Sequence, residues 1–333
     1  MVTLIPKQVL QLVTLFVCLL LVFSVKASPS FSDIFIFGDS MSDTGNLASV
    51  IGDYPPAYYN NRFSNGPVAV EILGEELDLP TNASLYLVGQ NAGTNYAVAS
   101  AKAGGSASLD LNSQINAFLA ARRFSIPKDA LYVVFIGGND VRSARDVPDG
   151  QSVETVLQNA VDSIEQNIDR LISSGAKNIL VINSIDMGNL PEMFLMDLQI
   201  SHKPVPGNQT TQNTRRFNDL LGKSVDDIEN DRDIKIAEFD SFEFLNRVIS
   251  RAKLFGFRYV REPCFFFSTL DFHPDCNFGQ NADAFLFFDE KHPGSIGQAL
   301  IGNALFKLVE DFDWEENKDD DDGDDDNFYI LPR

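Results

Sequence analysis

The chain has 333 residues, 44% of them hydrophobic and 22% charged, with a formal net charge of −21 at pH 7. So acidic a balance repels phosphates, which argues against a nucleic-acid partner and against tight electrostatic docking on anionic membranes. About 280 residues remain once both ends are set aside, enough to bury one large core, and no internal repeat divides them.

At the amino end, Lys7 precedes an apolar stretch from Val9 to Val25, and Val25-Lys26-Ala27 places small or apolar residues where a signal peptidase reads. Residues 1–27 are therefore expected to be a signal peptide, and the protein to be secreted or extracytoplasmic. The alternative is an uncleaved N-terminal anchor, because the stretch nears spanning length. Apolar runs at Ile34–Phe37, Leu131–Ile136, Ile179–Ile182 and Ile234–Phe239 are short and rich in β-branched or aromatic residues, as buried parallel strands are. Between them Val153, Val156, Leu157, Ala160, Val161, Ile164, Ile168, Leu171 and Ile172 recur at three- and four-residue spacing, predicting a long helix that Gly175 closes. Shorter helices are predicted at Ile115–Ala121 and Phe217–Ile228. Pro293 fits the first turn of a last helix, whose apolar stripe is Ile296, Leu300, Ala304, Leu305 and Leu308.

This alternation predicts one α/β domain over residues 28–312, a parallel sheet covered on both faces, with its site at the carboxyl ends of the strands. Between Glu310 and Asp326 twelve acidic residues stand against Lys318 alone, so residues 313–333 are expected to form a solvated, disordered acidic tail. A weak divalent-cation site or a contact with a basic partner is the rival reading of that tail.

Three short motifs carry chemistry. Ser40 follows the first apolar run in Phe37-Gly38-Asp39-Ser40. A serine is a poor nucleophile without a base within hydrogen-bond reach, and the chain offers only three histidines. His292 lies in Asp289-Glu290-Lys291-His292, where an Asp three residues earlier can fold back and fix the imidazole tautomer. Gly137-Gly138-Asn139-Asp140 follows the second run and by itself reads as a turn. His202, in Ser201-His202-Lys203-Pro204, reads as an exposed loop residue without a role, and the Gly-x-Ser-x-Gly motif of the other common esterase fold is absent.

With these residues in this order, the chain resembles the SGNH hydrolases, also called GDSL esterases and lipases. The resemblance covers residues 33 to 310 and rests on three of the family's four blocks: Phe37-Gly38-Asp39-Ser40-Met41-Ser42-Asp43-Thr44-Gly45-Asn46, Gly137-Gly138-Asn139-Asp140 and Asp289-Glu290-Lys291-His292. The resemblance implies a three-layer α/β/α sandwich with a central parallel sheet, flavodoxin-like in type. It implies catalysis by Ser40, Asp289 and His292, an oxyanion hole of Ser40, Ser100 and Asn139, and no metal or organic cofactor. The remaining block, Asn95-Tyr96-Ala97-Val98-Ala99-Ser100-Ala101, has Ser100 where a glycine is usual, which puts the local backbone angle in question.

Cys18 would leave with the signal peptide, so Cys264 and Cys276 remain to close a short loop as a disulfide in an oxidising compartment. A zinc site of Cys264, His273 and Cys276 is a second reading without a convincing fourth ligand. Phe265-Phe266-Phe267 reads first as a strand packed into the core and second as the lining of an acyl pocket or of a lid near the site. Asn82 and Asn208 each fit the N-glycosylation pattern. The sequence thus predicts a monomeric exported serine esterase or lipase whose partner is an ester or lipid substrate, with transient contact to a lipid surface. An acyltransferase, a carbohydrate O-deacetylase and a non-catalytic binding protein are the rivals.

Overall fold

The computed structural model describes residues 29–145, 147, 152–199 and 206–314. The expected signal peptide with Cys18, His202 and the acidic tail from residue 315 onward lie outside the described residues.

The central sheet is parallel, in the order β1 (Ile34–Gly38), β2 (Leu131–Phe135), β3 (Asn178–Ile182), β4 (Ile236–Phe239). Register runs Phe37↔Val134, Val134↔Val181 and Val181↔Glu238. Every residue of β1 and β2 is buried, as a sheet covered on both faces requires. On the free side of β1 runs the segment 94–98: Ile36 N donates to Thr94 O, Tyr96 N to Ile36 O and Val98 N to Gly38 O, at 3.1, 2.7 and 3.1 Å. Counting this segment as a fifth member, the spatial order is 2-1-3-4-5 in chain numbering, the flavodoxin-like arrangement.

Helices cover both faces. They are α1 (Ala48–Ile51), α2 (Ala69–Glu76), α3 (Leu111–Ala121), α4 (Gly138–Ala144), α5 (Val153–Ser174), α6 (Pro191–Gln199), α7 (Pro206–Arg232), α8 (Ser241–Ser250) and α9 (Ser295–Asp311). The periodicity in α5 buries Leu157, Ala160, Val161, Ile164, Ile168 and Leu171. Ser152 caps its start by accepting from Thr155 N, and Gly175 ends it at φ 115°, a left-handed cap that favours glycine.

Differences from the sequence expectations have local causes. Helix α7 starts eleven residues before Phe217, because its first turns are polar and carry no apolar stripe to read. Strand β4 begins at Ile236, two residues later than expected. Pro293 is not in the first turn of α9: Gly294 caps that helix and the Pro293 carbonyl accepts from Ser64 Oγ at 3.2 Å. At the far end Trp314 packs edge-on against Phe31, ring centroids 5.5 Å apart, and donates Nε1–H to Val309 O, so packing continues past residue 312.

A smaller cluster flanks the main core. Tyr58, Phe265, Phe285, Phe288 and the bonded pair Cys264–Cys276 are buried together beside a two-strand hairpin, β5 (Phe265–Phe266) and β6 (Asp271–Phe272). Because both sulfurs are used in that bond, no thiolate is left for the zinc reading. The Phe265–Phe267 run divides: Phe265 is core, whereas Phe267 is 47% exposed and faces the cavity described next, which corrects the reading of all three as a core strand.

Candidate active site

The chain turns at the end of β1 onto Ser40, and at the end of β2 onto Asn139. These neighbouring strands mark the topological switch point, where an open parallel sheet leaves a crevice. Two close approaches fix the turns. A Cβ on Gly38 would lie 2.5 Å from Phe135 O, and Gly38 is held by Gln114, which accepts from its N–H at 2.9 Å and donates to its carbonyl at 2.8 Å. Gly137 has φ 121°, and a Cβ there would strike the Phe217 ring at 2.2 Å.

Ser40, Asp289 and His292, three residues from opposite ends of the domain, converge. His292 Nε2 is 2.8 Å from Ser40 Oγ, and His292 Nδ1 is 2.8 Å from both carboxylate oxygens of Asp289. The expected fold-back of Asp289 is visible: its Oδ1 accepts the backbone N–H of Lys291 and His292, each at 2.8 Å. Tyr58 completes the shell by donating its hydroxyl to Asp289 Oδ2 at 2.7 Å. Burial alone would raise the Asp289 carboxyl, but the facing imidazole and these hydrogen bonds outweigh it and hold the group below its ordinary value. Loss of solvent first, and the facing Asp289 second, push the Tyr58 phenol well up, so it stays a donor. Phe63 lies over the imidazole, ring centroids 4.9 Å apart.

Ser100 and Asn139 share the cavity with Ser40. Ser100 adopts φ 70°, the left-handed region in which a glycine would be unstrained. Its placement comes from Asp43 and Asn46. Asp43 Oδ2 accepts from Ala99 N at 2.8 Å, and Asn46 Nδ2 donates to Asn95 O and Ala97 O at 2.8 Å, lashing segment 95–99 to the loop that follows β1. Asn139 donates one N–H to Ala101 O at 2.9 Å, which fixes the amide plane and leaves its second N–H for the cavity. Asp140, directly after it, accepts from Ala103 N and Gly104 N and is raised to about 6 by burial. Asp39 is likewise raised to about 6, burial outweighing the Met41 N–H.

The cavity measures about 310 Å³, at the lower end for small-molecule pockets. Met41, Leu47, Ile51, Phe63, Ile185 and Phe267 supply apolar walls, while Arg142 and Lys291 supply cationic ones. Arg142 is itself clamped by Glu192, Nη2 to Oε1 at 2.6 Å. Asn82 and Asn208 have exposed side chains away from this cavity.

Sequence reasoning missed Tyr58 and Gln114. Tyr58 is 231 residues from its partner and sits in no motif, so no local signal pointed to it.

A parallel α/β sheet with a serine, a paired imidazole and a carboxylate at its switch point is an arrangement that serine hydrolases share. The chain belongs to the GDSL-like Lipase/Acylhydrolase family, which it matches over residues 34–305. It is 34% identical over 188 residues to a phosphatidylcholine-sterol acyltransferase of Aeromonas hydrophila, a match taking in 53% of this chain and about half, 52%, of that relative. It is 25% identical to a GDSL esterase/lipase of Arabidopsis thaliana across 83% of this chain and 87% of that one. An acetylxylan esterase of Geobacillus stearothermophilus superposes with a TM-score of 0.48 at 13% identity, covering 88% of this chain and all of that one. Among the described residues no helix is long and apolar enough to cross a membrane.

Proposed function

We propose that this protein hydrolyses carboxylic esters, lipid or small acyl, through a covalent acyl-enzyme on Ser40. The observation carrying the proposal is the unbroken chain Ser40 Oγ, His292 Nε2, His292 Nδ1 and Asp289, each link 2.8 Å, opening into a cavity with apolar walls. His292 takes the Ser40 proton as the oxygen attacks the ester carbonyl, and Asp289 holds the ring and stabilises its cation. The backbone N–H groups of Ser40 and Ser100 and the Asn139 amide face the developing oxyanion, each donor contributing on the order of 3 kcal/mol. His292 then protonates the leaving alcohol, and water attacks the acyl-enzyme by the same route in reverse. The apolar walls suit the acyl chain, which favours lipid and simple acyl esters over an acetylated sugar. A fluorophosphonate probe tests the covalent step: it should label Ser40 and no other serine, and a binding protein on this fold would stay unlabelled.

A second reading, acyl transfer to an alcohol instead of water, is favoured by the similarity to the phosphatidylcholine-sterol acyltransferase. Product analysis with a sterol present separates the two: free acid alone marks a hydrolase, and a sterol ester marks a transferase. We also propose that the chain is exported after removal of residues 1–27. The Cys264–Cys276 bond supports this reading, since such bonds persist in oxidising compartments. Detection of a mature N-terminus after Ala27 outside the cell tests it.

A further inference from the structure

We infer that the mouth of the catalytic cavity is a docking face for a zwitterionic phospholipid surface, on which the enzyme meets its substrate; this rests on the ester-hydrolase reading above. The face is built from two elements far apart in sequence. On α1, Val50 is 56% and Ile51 is 64% exposed; on the β5–β6 turn, Phe267 is 47% and Leu270 is 59% exposed. Large apolar side chains this open cost free energy in water unless something covers them.

Continuity with the site makes these four different from other exposed apolar residues. Ile51 and Phe267 are at once exposed and part of the wall around Ser40, so each links solvent-facing apolar surface to the cavity itself. Phe124 and Leu254 are more exposed still, at 70% and 79%, yet line no part of it. Val50 neighbours Ile51, and Leu270 is tied to the same turn by its N–H bond to Phe266 O at 2.8 Å, so each extends the apolar rim outward.

Charge chooses the occupant. A chain of net charge −21 is repelled by anionic leaflets, so the surface must be neutral overall. The cavity-lining residues Arg142, Lys291 and Glu290 carry both signs, as a zwitterionic headgroup layer does. Shallow insertion of the four apolar side chains would bring the cavity mouth to the depth of the ester bonds without any crossing segment.

The test uses the full chain with phosphatidylcholine vesicles and sedimentation, which needs no turnover, alongside hydrolysis of monomeric nitrophenyl acetate. The double substitution Val50→Asp with Leu270→Asp avoids every cavity residue. It should lower the vesicle partition constant by at least about tenfold while acetate turnover stays at the parent level. Phe124→Asp, exposed but distant from the cavity, should bind vesicles as the parent does. Because all forms share the same N-terminal segment, the differences report on the rim. Equal vesicle binding by parent and double variant overturns the docking face, as does equal loss in Phe124→Asp. Absence of acetate turnover in the parent would instead count against the hydrolase reading and leave the vesicle result to be judged separately.

Discussion

The Tyr58 hydroxyl donates to Asp289 Oδ2 at 2.7 Å, from a loop 231 residues away in sequence, and both groups are buried. Asp289 has two oxygens to satisfy. One takes two backbone N–H groups, and Tyr58 fixes the other, so the carboxylate cannot rotate away from His292. Tyr58 is a positioning residue, held in turn by edge-on contacts with Phe63, Phe265 and Phe288.

Tyr58→Phe keeps the ring and removes only that bond. A hydrogen bond to a charged group contributes about 1.5 to 3 kcal/mol, so kcat should fall by about tenfold or more with KM little changed. Steady-state kinetics on a soluble ester check this, and an unchanged kcat would remove Tyr58 from the account.

Ser100 pays a backbone cost at φ 70° that glycine would not. Ser100→Gly should gain about 1 kcal/mol in stability by relieving the left-handed conformation, and should keep activity because the proposed oxyanion donor is the backbone N–H. Thermal unfolding and kcat measured together test both halves. Lost activity with a higher Tm would show that the Ser100 side chain itself acts.

Much of the site was legible from sequence because its chemistry is carried by residue type at fixed spacing. Asp289 and His292 lie three apart, and Ser40 and Asn139 each follow an apolar run that became a strand. Strands β1 and β2 were legible because burial on both faces leaves no alternation to misread. The polar first half of α7, the exposed end of Phe265–Phe267 and the Tyr58 contact were not legible. Each depends on packing between distant segments, which local pattern does not encode.

The raised Asp140 carboxyl gives a stability prediction. Its ordinary value is 3.8 and burial lifts it to about 6, so the folded state binds this proton more tightly than the unfolded chain. Its contribution is therefore fully present below pH 4 and is lost as pH rises to about 6, at up to about 1.4 kcal/mol per unit. Asp140→Asn cannot titrate. The Tm of Asp140→Asn minus that of the parent should increase steadily from pH 4 to 6.5 and then level off; a difference independent of pH contradicts this.

The Cys264–Cys276 bond braces the histidine loop as well as the fold. Cys264 N donates to Phe287 O at 3.2 Å and Phe265 N to Phe288 O at 2.7 Å, immediately before Asp289. Replacing both cysteines with serine should cost about 3 kcal/mol on the chain-entropy account and lower kcat as Asp289 loses its anchorage. Chemical denaturation and kinetics on the double variant check this, and unchanged kcat would confine the bond to a stabilising role.

The central claim is that Ser40 is the nucleophile. The most direct measurement is kcat/KM of the parent and of Ser40→Ala on nitrophenyl esters from acetyl to palmitoyl, with unfolding curves for both. The account predicts matching Tm values and a fall in kcat/KM of at least about a thousandfold across the series. Comparable turnover by Ser40→Ala and the parent would contradict it.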